Sequence, residues 1–163
     1  MSGAVLSTCG RYRYHLHRRW GEGPSVTFIG VNPSTADAST DDATVRKWRG
    51  FSERWGYGAF DVVNLFAYRA TDVRELTSAA DPVGADNDEF LRAAFEDTSA
   101  SLIVPCWGDR SKLPKALRTR VGRVRLMLTA ASAPVRVFGL TASLDPKHPL
   151  MLGYATPLQD WLP

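Results

Sequence analysis

VTFIGVNPSTADASTDDATVRKWRGFSERWGYGAFDVVN, residues 26–64, is the stretch from which the fold is read. Its first apolar run, 26–31, has the length and β-branched content of a buried strand and stops at Asn32 and Pro33. Val45, Trp48, Phe51 and Trp55 then recur at spacings of three and four, which predicts a helix over 42–54 with Thr40 or Asp41 placed to cap it. Gly56 and Gly58 end that helix, and 59–63 reads as a second strand stopping at Asn64. Strand, helix and strand in that order imply a right-handed crossover and a parallel pair.

The same pattern extends in both directions. Residues 11–16 alternate like an edge strand, and Gly21, Glu22, Gly23 and Pro24 supply a turn into the run at 26–31, so these two strands are expected as a hairpin or near neighbours. Beyond a long polar connection at 68–84, Phe90, Leu91, Ala94 and Phe95 form the apolar face of a second helix. Residues 102–106 make a third buried strand ending at Trp107 and Gly108. Leu113, Leu117, Val121, Val124 and Leu128 mark a third helix, and 135–138 a fourth strand. Alternating strands and helices predict an α/β domain with a mainly parallel four-stranded sheet plus an N-terminal edge strand.

The chain has 163 residues, 44% of them apolar and 23% charged, which fits one domain over 1–163 with a sizeable core. No apolar run approaches the ~18 residues of a membrane span, and the N-terminus lacks the apolar core of a signal peptide, so a cytoplasmic location and no membrane partner are expected. Cys9 and Cys106 are too few for a disulfide framework, and neither belongs to a CxxC pair suited to zinc. The net charge of +3 is unevenly spread. Residues 110–144 contain no acid and carry Arg110, Lys112, Lys115, Arg118, Arg120, Arg123, Arg125 and Arg136; Arg11, Arg13, Arg18 and Arg19 form a second cluster with His15 and His17. Two such patches suit a phosphate backbone, and equally a solvated helix face and a charge-protected strand edge.

In a parallel sheet, ligands bind beyond the carboxyl ends of the strands. Here those ends are Asn32, Asn64 and Trp107–Gly108, with His148 in the loop after the fourth strand. Each has a local explanation: an Asx turn for Asn32, a buried network for Asn64, a surface loop for His148. Together they suit one chemistry. A carboxamide offers a donor and an acceptor to a heterocycle edge, an imidazole donates to a departing base anion, and a polar group beside the first strand holds a water. That set is suited to cleaving a base–sugar bond.

The segments RYRYHLHRRW, FIGVNPSTADA, DDATVRKWRGF, WGYGAFDVVNLFAYRATD, DPVGADND, CWG and KHPL occur in an order that resembles the bacterial family with the domain-of-unknown-function label 1643, over nearly the whole chain. A wider resemblance, to the uracil-DNA glycosylase superfamily, rests on Gly30–Val31–Asn32–Pro33, Asn64, Trp107–Gly108 and His148–Pro149. It implies a three-layer α/β/α sandwich and an enzyme that flips a damaged or modified base and hydrolyses its N-glycosidic bond. Asn32 would position the water, Asn64 would read the base, and His148 would stabilise the leaving anion. Phe51, Tyr68 and Trp107 would line the base site, with Trp48 a further stacking candidate. Leu150, Met151 and Leu152 would form the wedge that enters the vacated stack. Ser34, Arg110, Lys112 and Lys147 would hold the DNA.

Asn32 stands where the best-known branch has aspartate, and it cannot take a proton, so water activation is expected to be weak or to be taken over by Asp37, Asp41 or Asp42. The four cysteines of the iron–sulfur branches are absent, and no metal or cofactor is expected. Asp72, Asp81, Asp86, Asp88 and the segment 69–71 have no counterpart in the wider superfamily; an acidic loop capping a helix at Asn87 accounts for the acids more simply than a metal does. The expected partner is single- or double-stranded DNA and the expected state a monomer. The alternatives are a non-catalytic reader of nucleic acid or modified bases, and a hydrolase or transferase of free nucleotides.

Overall fold

The computed structural model describes residues 2–163. Its strands are β1 (Gly3–Leu6), β2 (Arg13–Arg19), β3 (Ser25–Gly30), β4 (Ala59–Asn64) and β5 (Ala100–Pro105), with short β6 (Arg136–Val137) and β7 (Gln159–Asp160). The helices are α1 (Ala43–Arg54), α2 (Asn87–Glu96) and α3 (Thr119–Leu128). β1 to β5 form one mixed sheet in the order β1-β2-β4-β3-β5. β4, β3 and β5 are parallel, while β1 and β2 run antiparallel at one side.

The sheet packs on both faces. Phe28, Val62 and Val104 point to one side, where Val45, Trp48 and Phe51 of α1 cover them. Ile29, Val63 and Ile103 point to the other, under Leu91 and Phe95 of α2 and Val121, Val124 and Leu128 of α3. The period-two alternation of the strands thus sorts each run into two cores. Both faces are covered, which is why these runs are largely apolar, with Thr27 of β3 and Asp61 of β4 as interior polar exceptions.

Five expectations are corrected. The expected edge strand is internal, because the unforeseen β1 pairs beyond it. It makes no hairpin with β3, since β4 lies between them. The expected fourth strand shrinks to β6, which pairs with β7 and touches β5 through one bridge, Ile103 to Val135; Pro134 and the glycine at 139 bound it closely. The third helix starts at Thr119 instead of 113, because Pro114 interrupts it and leaves two short 3-10 turns, Arg110–Lys112 and Lys115–Leu117. The cap of α1 is Asp42, whose carboxylate accepts from the Val45 amide at 2.9 Å, and not Thr40 or Asp41. Asp41 instead pairs with Arg18 at 2.8 Å. No helix among the described residues is long and apolar enough to cross a membrane.

Candidate functional site

At the carboxyl ends of the parallel strands, a cavity of about 50 Å³ is lined by Arg13, Asn32, Ser34, Asp42, Thr44, Trp48 and His148, with Gly30 in its wall. These side chains come from β2, the loop after β3, the start of α1 and the loop after β6. The volume admits one or a few waters. Asn32 donates from Nδ2 to the carbonyls of Pro33 at 3.0 Å and Ala70 at 2.7 Å, which fixes its carboxamide. Among the described residues its Oδ1 meets no hydrogen-bond donor, so it remains an acceptor.

His148 is held by the residue two places further on. Its Nδ1 accepts from the Leu150 amide at 3.2 Å, so in the neutral ring the proton sits on Nε2. Burial, with the nearby positive charge of Lys112, lowers its pKa, against an opposing pull from Asp42. The ring is therefore a neutral donor at pH 7. Gly108, in the left-handed region at φ 82°, packs close to it: a Cβ there would lie 3.5 Å from the Cβ of His148. The strand end at Trp107–Gly108 and the histidine loop are thus neighbours, and the Gly108 amide donates to Pro146 at 2.9 Å.

Behind the cavity lies Asn64, 1% exposed, whose Nδ2 and Oδ1 have no hydrogen-bond partner among the described residues. It reaches this position because Gly30, its register partner on β3, has no side chain: a Cβ there would lie 2.6 Å from Asn64 Oδ1 and 3.3 Å from the Trp48 ring. Trp48 donates from Nε1 to Cys106 Sγ at 3.3 Å. Burial pushes the Cys106 thiol up to about 12, so it is an inert acceptor.

Arg13 is the residue that sequence reasoning missed. It is 2% exposed and donates to the Ala36 carbonyl, and among the described residues it makes no ion pair and leaves its buried Nε without a partner. Burial and the neighbouring Arg69 and Arg18 lower its pKa to about 10, while Asp42 and Asp37 oppose this. The guanidinium stays charged at pH 7. The only signal available in advance was the run RYRYHLHRRW itself, too charged for a buried strand unless some of its cations have internal work.

Other expected site residues lie elsewhere. Phe51 is fully buried against Phe138, Tyr154 and Trp55 in the core below α1. Tyr68 packs edge-on against Tyr12, and Trp107 projects to the opposite face of the sheet, edge-on to Trp161. None of the three lines the cavity. Arg110 is committed to the fully buried Asp145, with three side-chain contacts of 2.7–3.0 Å. Lys112 and Lys147 are exposed beside the histidine loop, as are Leu150 and the 91% exposed Met151; Leu152 packs onto the core.

The basic cluster at 11–19 is not a surface patch. Arg13 and Arg18 are buried, and His15 and His17 both contact Asp61 Oδ1 at 2.8 Å. The span 110–136 is broken too, because Arg110, Arg120 and Arg136 are ion-paired. Of the unassigned acids, Asp72 caps the turn Val73–Ser78, Asp81 accepts from the amides of Val83 and Gly84, and Asp88 holds Arg120 at 2.6 Å. Asp86 makes no side-chain cap; Asn87 is buried and donates to the carbonyls of Asn64 and Leu65. Among the described residues, no group of three or more His, Cys, Asp or Glu is placed to hold a metal ion.

Compared with known families, residues 13–150 match the model described as Protein of unknown function (DUF1643). No curated protein and no solved structure matches the chain.

Proposed function

The chain belongs to the DUF1643 family, and on that premise we propose that it is a glycosylase-like hydrolase of the N-glycosidic bond, acting on a damaged or modified base in DNA, with the uracil-DNA glycosylase-type three-layer sandwich as its scaffold. The observation that carries the reading is the convergence of Arg13, Asn32, Asp42 and His148, from four separate segments, on one small cavity at the strand ends.

In this reading Asn32 Oδ1 and the Asp42 carboxylate hold a water. The water oxygen bonds to the anomeric carbon as the carbon–nitrogen bond breaks, and its proton passes to Asp42. The bonding pair leaves with the base, whose anionic oxygen accepts from His148 Nε2–H, and the products are free base and an abasic sugar. Asn64 supplies the unsatisfied donor and acceptor that a base edge would meet. A nucleobase exceeds the cavity, so binding requires the 34–42 or 146–152 loop to give way. Leu150 and Met151, exposed beside His148, suit the wedge, and Ser34, Lys112 and Lys147 the backbone.

The test is base excision from labelled single- and double-stranded oligonucleotides carrying uracil, hypoxanthine, xanthine or modified pyrimidines. Asp42→Asn keeps a capping side chain but cannot take a proton, and should lower the rate 10²-fold or more; Asn32→Ala and His148→Ala should do likewise. Abasic product formed equally by all variants, or by none of the proteins, overturns the assignment.

A further inference from the structure

Next to the catalytic cavity, and sharing Ser34 with it, is an open cleft of about 330 Å³ lined by Ser34, Thr35, Arg69, Ala70, Thr71 and Glu75. Arg69 belongs to the 69–71 segment that the proposed reaction leaves without a role. Among the described residues its guanidinium makes no ion pair, and its only hydrogen bonds are long ones, 3.5 Å to the Ser34 carbonyl and 3.4 Å to that of Gly10. Arg18, Arg49, Arg74, Arg110, Arg120 and Arg136 each hold a carboxylate at 2.9 Å or less, whereas Arg69, like Arg46 and Arg92, holds none among the described residues. The segment is fixed in place: the Ala70 amide donates to Pro33 at 2.9 Å, and its carbonyl accepts from Asn32.

A partly exposed guanidinium with free N–H groups, three hydroxyls and one exposed acid at the rim make a site for an oxyanion. Arg13 stands on the other side of Ser34, in the adjoining cavity that it shares with Asp42. We infer that this cleft is a phosphate subsite: Arg69, with the hydroxyls of Ser34, Thr35 and Thr71, seats the phosphate adjoining the nucleoside whose bond is cut. The inference rests on the nucleoside reading of the neighbouring cavity. Either a phosphodiester of a strand or the phosphate of a free nucleotide presents this chemistry.

Titration of the full-length, ¹⁵N-labelled protein with inorganic phosphate, against chloride at matched ionic strength, tests the subsite without any excision assay. The expected result is saturable shifts of the Ser34, Thr35 and Thr71 amides, weakened about tenfold by Arg69→Gln and less by Arg69→Lys, which keeps the charge but not the fork. Thr71→Val, at an exposed position, gives a second variant if Arg69→Gln fails to fold, with an expected loss of a few-fold. Shifts that are absent, that persist at full strength in Arg69→Gln or Thr71→Val, or that centre on Lys112 and Lys147 overturn the subsite. Binding of a fluorescent single-stranded oligonucleotide carrying an abasic analogue then separates the sources. A salt slope that falls by ~0.7 in Arg69→Gln assigns the phosphate to a strand, and an unchanged slope assigns it to a free nucleotide. Failure of excision with phosphate binding intact overturns the glycosylase reading and leaves the subsite standing.

Discussion

Gly30 lies at a strand end without a positive φ, and its need for glycine comes from its neighbours. A methyl group there meets Asn64 Oδ1 at 2.6 Å and the Trp48 ring at 3.3 Å, and both side chains are packed too tightly to withdraw freely. Gly30→Ala is therefore expected to cost roughly 1–3 kcal/mol. Urea unfolding checks this, and an unchanged midpoint would show that Asn64 has another resting place. At this scale the sequence was legible where a strand end decides position, as at Asn32 and His148. It was not legible where the choice lay between neighbours on one helix face. Trp48 and Phe51 share the inward stripe of α1, but only Trp48, a turn nearer the start of the helix, reaches the cavity.

Among the elements, β2 and β4 are joined by more than their ladder. Asp61 on β4 contacts His15 and His17 of β2 and accepts from Ser25 Oγ of β3 at 2.7 Å, tying three strands together on one face. Burial alone would raise its pKa, but the hydrogen bonds from His15, Ser25 and His17 outweigh that and hold it at about 2. Because the folded value is depressed, the native state binds fewer protons than the unfolded chain, whose carboxylate titrates near ~4. The stabilisation is complete above that value and is lost as pH falls through about 2. Asp61→Asn should then cost ~1–3 kcal/mol at pH 7, with the difference from wild type shrinking between about pH 4 and pH 2. Urea midpoints across that range decide it; a difference independent of pH would assign the effect to packing alone. β3, β4 and β5 were readable because both their faces are largely apolar. β1 was not, since four residues with no polar alternation carry no period, and the extent of β6 depends on β7, which lies more than twenty residues further along the chain.

In the whole molecule, the two cores share β3, β4 and β5, so neither can be exposed without dissolving the sheet that supports the other. Trp48 and Trp55 report on one side, Trp107 and Trp161 on the other. Tryptophan fluorescence and far-UV circular dichroism are expected to give one coincident urea transition, and separated midpoints would show that one layer melts first. The partners of Arg13 and Arg69 were illegible for a related reason: whether a cation is ion-paired depends on loops far apart in sequence that meet only after the sheet has formed. The unpaired groups at the strand ends also bear on how much stability the chain holds in reserve. Arg13 Nε and both polar atoms of Asn64 are buried without partners among the described residues, at roughly 1–3 kcal/mol each, a substantial part of the 5–15 kcal/mol that a domain this size has to spare. An apolar side chain of similar size at this position needs no such partners, so Asn64→Leu is expected to raise the urea midpoint.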